Sequence, residues 1–164
     1  MHIVLDGGFC FSEAPWLSWS EIKYGLDRGF LTPLGVVEYA VKSLSAESSA
    51  EQYELACLSG DDADDVRDCV DRIAVRDVQC DRCSEEVWIF LVLLWVLVNR
   101  GRYQDPLGVV EEVYADFDYS ESIAPIVRYM PAVDSALEGD DQIYKKWSSM
   151  LELSRLKLQA GRSV

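Results

Sequence analysis

Histidine is almost missing from this chain: the 164 residues include one, His2. Imidazole acid–base work and multi-histidine metal sites therefore have nothing to draw on, which sets aside most hydrolase mechanisms. Basic residues are scarce as well. There are 15 Lys and Arg against 29 Asp and Glu, and a formal charge of −14 repels a phosphate backbone, so nucleic acid is not an expected partner. The longest apolar run, Val87 to Val98, has 12 residues where a bilayer needs roughly 20, so no membrane association is expected. The opening MHIVLDGGFCF lacks a basic stretch followed by a long apolar one; no signal peptide is read and a cytoplasmic location is expected. The cysteines (Cys10, Cys57, Cys69, Cys80 and Cys83) make an odd set of 5, which argues against a disulfide framework.

What is present is enough apolar material, 49% of the residues, for one globular domain with a core, spanning 1–164. The patterning is helical throughout. Ser18 and Glu21 have the capping-box spacing and open a helix to about Arg28, stopped by Gly29. Thr32-Pro33 opens a second helix to Leu44. Ala50 to Leu58 reads as a third, and Asp64 to Val75 as a fourth with Val66, Cys69, Val70, Ile73 and Ala74 on its inner face. Ser84 is the expected cap of a central helix, about 84–99, apolar all round and so buried on several sides. Asp105-Pro106 opens a helix to Phe117, Ser120 caps a seventh over Ser120–Met130, and Gln142 to Ala160 forms the last. Gly7-Gly8 reads as a turn. The fold class is all-α: a single-domain multi-helix bundle.

One hexapeptide occurs twice. Pro33-Leu34-Gly35-Val36-Val37-Glu38 returns as Pro106-Leu107-Gly108-Val109-Val110-Glu111, each copy following an Arg-Gly pair. A duplicated helical hairpin, near 18–44 and 86–117, is the simplest account; a solenoid would need at least three copies. Cys80 and Cys83 have C-x-x-C spacing, but no second pair completes a zinc set and no β-α-β pattern surrounds them, so neither metal nor redox chemistry is assigned.

Charge is segregated. Residues 61–86 hold ten acids and four arginines, and residues 105–122 hold six acids and no base, whereas residues 142–164 hold five Lys and Arg against one Glu. Acids at helix starts need no function. They also suit a docking face for a basic protein, because such a field speeds encounter and paired charges choose the partner. The candidate partner-binding residues are Asp61, Asp62, Asp64, Asp65 and Asp68 in the first segment. In the second they are Glu111, Glu112, Asp116, Asp118 and Glu121, with Tyr119 as an aromatic anchor. Phe117 and Tyr119 equally suit a plug between two helices. Asp61-Asp62-x-Asp64-Asp65 lacks the central glycine and terminal glutamate of a calcium loop, so no metal and no cofactor are expected. A non-catalytic scaffold or oligomer, or an enzyme using these carboxylates with a divalent metal, are the alternatives.

The block Trp16-Leu17-Ser18-Trp19-Ser20-Glu21 through Leu26, with Gly29 and Pro33, and the later Asp116-Phe117-Asp118-Tyr119-Ser120-Glu121 with Arg128-Tyr129-Met130-Pro131, resembles an uncharacterised bacterial family, domain-of-unknown-function family 2247. The likeness covers nearly the whole chain. Such small acidic proteins resemble the immunity proteins encoded beside polymorphic or contact-dependent toxins. The resemblance implies a non-enzymatic binder of one cognate toxin domain, which the acidic charge makes a basic one, and it supplies no catalytic residues.

Overall fold

Side-chain caps open several helices where the sequence places them. A computed structural model describes residues 2–77, 81–128 and 139–162. Among these residues there are eight α-helices and no strand: α1 (Gly7–Glu13), α2 (Trp19–Asp27), α3 (Pro33–Ser43), α4 (Ala50–Ala56), α5 (Ala63–Ala74), α6 (Asp81–Val98), α7 (Pro106–Asp116) and α8 (Asp140–Ala160). At α2 the Ser18 hydroxyl accepts the Glu21 N–H at 3.2 Å and the Glu21 carboxylate accepts the Ser18 N–H at 2.8 Å. Thr32 caps α3 through the Gly35 N–H at 3.1 Å, with Pro33 at the first helical position, where its missing donor loses nothing. Ser49 and Gln52 form a second capping box at α4.

Three expectations are corrected. Gly7-Gly8 is the start of a helix rather than a turn: the Asp6 carboxylate accepts the Phe9 N–H at 2.6 Å, and the Gly7 N–H donates to Glu38 on α3 at 3.1 Å. The described part of the seventh helix, through Arg128, contains only a short 3₁₀ turn, Ala124–Ile126. Pro125 has no N–H to give Glu121 and its ring opposes that carbonyl, and the Ser120 hydroxyl is turned to the Ser122 N–H at 3.3 Å. Ser84 does not cap α6, which begins at Asp81; Ser84 lies within the helix and is buried.

The chain divides into two compact units, His2–Trp88 and Ile89–Val164, with the boundary inside α6. One copy of the repeated hexapeptide falls in each. In His2–Trp88, α3 packs chiefly on α1 and also on α4 and α5, while α5 lies against α2 and α4. Thus α2 and α3 are consecutive, but α3 has α1 as its main neighbour. Trp88 is fully buried, donates its indole N–H to the Glu21 carbonyl at 2.7 Å, and stacks on Phe30 at 5.7 Å between centroids. In Ile89–Val164, α8 packs on the 3₁₀ turn and buries Ile143, Trp147 and Leu151. The apolar run of α6 is buried without a break from Val87 to Leu93, but Leu94, Trp95 and Leu97 are half-buried and Val98 is exposed, so the burial expected of the whole run holds for its first part.

Candidate protein-binding surfaces

The first acidic segment lies at the N-terminal end of α5, in the unit His2–Trp88. The inner face of that helix is Val66, Cys69, Val70, Ile73 and Ala74, all buried, as the periodicity predicts. Its flanks are tied to the neighbouring helices by ion pairs. On one side Arg67 meets Asp27 of α2 at 3.4 Å, and Lys23 of α2 bridges Asp27 at 2.6 Å and Asp71 at 3.3 Å. On the other side Arg72 meets Glu54 at 3.1 Å and Arg76 meets Glu51 at 2.7 Å, both on α4. Such exposed pairs add little stability in water, but they decide where the charge goes. Arg67, Arg72 and Arg76 are all spent on carboxylates of adjacent helices. Asp61, Asp62, Asp64, Asp65 and Asp68 are exposed, and among the described residues none of their five carboxylates is in an ion pair or a hydrogen bond. The positive end of the helix dipole favours carboxylates there, which accounts for their local tolerance. Farther along the helix, α2 and α5 border an open groove of ≈ 500 Å³ lined by Ser20, Lys23, Tyr24, Asp27, Asp71 and Val75, and none of the five acids lines it. The Lys23–Asp27 half of this network is legible as an i,i+4 pair; its tie to Asp71 depends on packing that local spacing does not encode.

The second segment lies in Ile89–Val164, at the C-terminal end of α7. That helix ends in a Schellman arrangement: the Tyr119 N–H donates to the Tyr114 carbonyl at 2.8 Å and the Asp118 N–H to the Ala115 carbonyl at 3.2 Å. The motif needs a left-handed residue after the cap, usually glycine. Here Asp118 takes it with φ 51°, and Tyr119 follows with φ 60°. Two successive side-chain-bearing residues in this region store strain of about 1–3 kcal/mol each. The strain turns the Tyr119 ring outward, 62% exposed, with its edge against Tyr114 at 5.3 Å. Phe117, not Tyr119, plugs the corner. No glycine or asparagine marks the position, and the aspartate that takes it is too common elsewhere in this chain to single it out.

The remaining acids of this segment divide by partner. Glu111 is half-buried and accepts from the Arg128 Nε at 2.9 Å, while Asp105 accepts from the Nη2 of the same guanidinium at 2.8 Å. Glu111 is therefore occupied inside its own unit. Arg128 holds the Asp105 carboxyl below the usual carboxylate range, so the pair's contribution is present above that range and is lost as pH falls beneath it through the lowered folded value. Asp118 and Glu121 are exposed and unpaired among the described residues; Glu112 and Asp116 are exposed. Replacing Asp118 by glycine removes the Cβ penalty and is expected to stabilise the protein by about 1 kcal/mol, read as a higher urea midpoint at unchanged slope. A lower midpoint would show that the aspartate makes a compensating bond.

Among the described residues, no three His, Cys, Asp or Glu side chains come together as a possible metal-ligand set, so Asp61, Asp62, Asp64 and Asp65 do not converge on one point. Burial, with the nearby Asp6 charge adding, pushes the Cys10 thiol up to about 12, and burial also raises Cys69, so neither is an activated nucleophile. Cys83 is exposed with a free thiol; its C-x-x-C partner Cys80 lies outside the described residues. Among the described residues no helix is long and apolar enough to cross a membrane.

No curated protein and no solved structure matches the chain. Residues 9–155 match the model of a bacterial family described as an uncharacterized conserved protein, domain of unknown function 2247, and the chain belongs to that family.

Proposed function

We propose that this protein is a non-catalytic binding module of the immunity type, which docks a basic cognate toxin domain on its exposed carboxylates. The observation that carries the reading is the division of charge on α5. Its arginines are spent on neighbouring helices, and the five carboxylates from Asp61 to Asp68 are left exposed and unpaired among the described residues. A surface built this way raises the encounter rate with a basic partner, and at contact it exchanges hydration for charge-assisted hydrogen bonds. In the unit Ile89–Val164, Tyr119 offers a separate contact of a different kind. It is a rigid exposed ring already fixed by its backbone and by Tyr114, so little ordering entropy is lost when a partner covers it.

The test starts from tagged full-length protein used to capture a partner from the lysate of its own host, followed by calorimetry on the purified pair. The expected partner is a basic toxin domain bound one to one, with affinity falling as salt rises. Reversal of Asp61, Asp65 and Asp68 to lysine is expected to slow association by about tenfold or more while leaving helicity unchanged. Tyr119→Ala is expected to act on dissociation instead. An affinity indifferent both to salt and to these substitutions would sink the assignment.

A further inference from the structure

The outer face of α8 has a pattern that its own unit does not use. Ile143, Trp147 and Leu151 form the buried stripe, yet Leu153 and Leu156 are 69% and 62% exposed. With the exposed Ser149 and Ala160 they make a second stripe spaced four, three and four residues apart, which is the spacing of a coiled-coil seam. Glu152 and Lys157 lie on opposite flanks of this stripe, both exposed and neither in an ion pair among the described residues. They cannot reach each other along one helix, where pairs form between residues three or four apart. In two parallel, in-register helices, flanking residues five apart face each other across the seam.

We propose that the outer face of α8 is a self-association surface on which a second copy of this chain docks through its own α8, parallel and in register. Leu153 and Leu156 each meet the same residue of the other copy, and Glu152 of each helix faces Lys157 of the other, making two symmetric ion pairs. An antiparallel arrangement would set each flank against its own copy and leave both charges unmatched, so the charge pattern selects the parallel one. Two leucine layers make a small interface, and two chains of charge −14 repel at long range. Association is therefore weak and is strengthened by salt. That sign is opposite to the one expected for a basic partner on the carboxylate surfaces, and the proposal stands without that partner.

Sedimentation equilibrium of the full chain, up to about 1 mM and at low and high sodium chloride, reads the outcome directly. The mass is expected to rise with concentration toward twice that of the monomer, and to rise further in high salt. Leu156→Lys and Glu152→Lys, both at exposed positions, are each expected to lower the association constant by about tenfold or more, with circular dichroism unchanged. Glu152→Lys combined with Lys157→Glu is expected to restore it. A monomer at every concentration, a dimer indifferent to Leu156→Lys, or a swapped pair that fails to restore association would each overturn the proposal. Binding of the monomer to anionic lipid vesicles through the same leucines would also overturn it, assigning the face to a lipid surface.

Discussion

Gly25→Ala is expected to destabilise the protein by about 2 kcal/mol, although alanine is the better helix former by about 1 kcal/mol. The sign follows from what the new methyl group meets. A Cβ at position 25 would lie 2.1 Å from Cζ2 of Trp88 and 2.5 Å from its Cε2, far inside van der Waals contact. The indole has nowhere to go: its N–H is tied to the Glu21 carbonyl at 2.7 Å, its face is stacked on Phe30, and it is fully buried. Overpacking against a fixed ring typically costs 1–3 kcal/mol, and a contact this deep exceeds the gain in propensity. Urea unfolding of the variant measures the difference. A double-mutant cycle with Trp88→Phe, which removes the ring atoms that Gly25 faces, should show the two changes strongly non-additive. Additive losses would mean that α2 shifts as a body and the glycine matters for some other reason.

Much of the helix pattern was legible because its signals are local. Ser18 and Thr32 have hydroxyls that can reach only the next turn, and the inner stripe of α5 follows from periodicity alone. The failures mark where local rules meet distant partners. Gly7 reads as a turn until Glu38, 31 residues away, supplies an acceptor for its N–H. The carboxylates at the start of α5 were legible as a charge cluster, but their availability was not. It depends on where Arg67, Arg72 and Arg76 point, and Asp27, Glu54 and Glu51 decide that from other helices. Glu111 looked equivalent to its neighbours in sequence and is instead taken by Arg128. The outward turn of Tyr119 rests on two left-handed residues, Asp118 and Tyr119, neither of them the glycine that usually marks such a cap.

The crossing of α1 over the first hexapeptide copy gives the second large effect, and the hexapeptide's own glycine has different work in each copy. Gly7→Ala is expected to destabilise the protein by about 3 kcal/mol, and Gly35→Ala, its neighbour across the helix crossing, by almost nothing. A Cβ on Gly7 would lie 2.0 Å from the Gly35 carbonyl oxygen and 2.9 Å from the Tyr39 nitrogen. Both are backbone atoms of α3, so relief requires α1 to lift off. Lifting strains the Tyr39 hydroxyl bond to the Ala14 carbonyl at 2.9 Å and the Phe11–Tyr39 edge contact at 5.6 Å. A Cβ on Gly35 would meet Leu31 Cδ2 at 3.2 Å, and the Gly7 nitrogen and Thr32 Oγ1 at 3.6 Å, of which only the first is tight, and a leucine methyl can give way. In the second copy, a Cβ on Gly108 would press on the Asp105 carboxylate at 2.5 Å, the group that holds Arg128. Gly108→Ala should therefore disturb that ion pair and leave helix packing intact, losing less stability than Gly7→Ala. Thermal unfolding of the three variants side by side checks the ranking. If Gly35→Ala proves as damaging as Gly7→Ala, the crossing is closer than these distances describe, and the hexapeptide glycine is a packing requirement in the first copy after all.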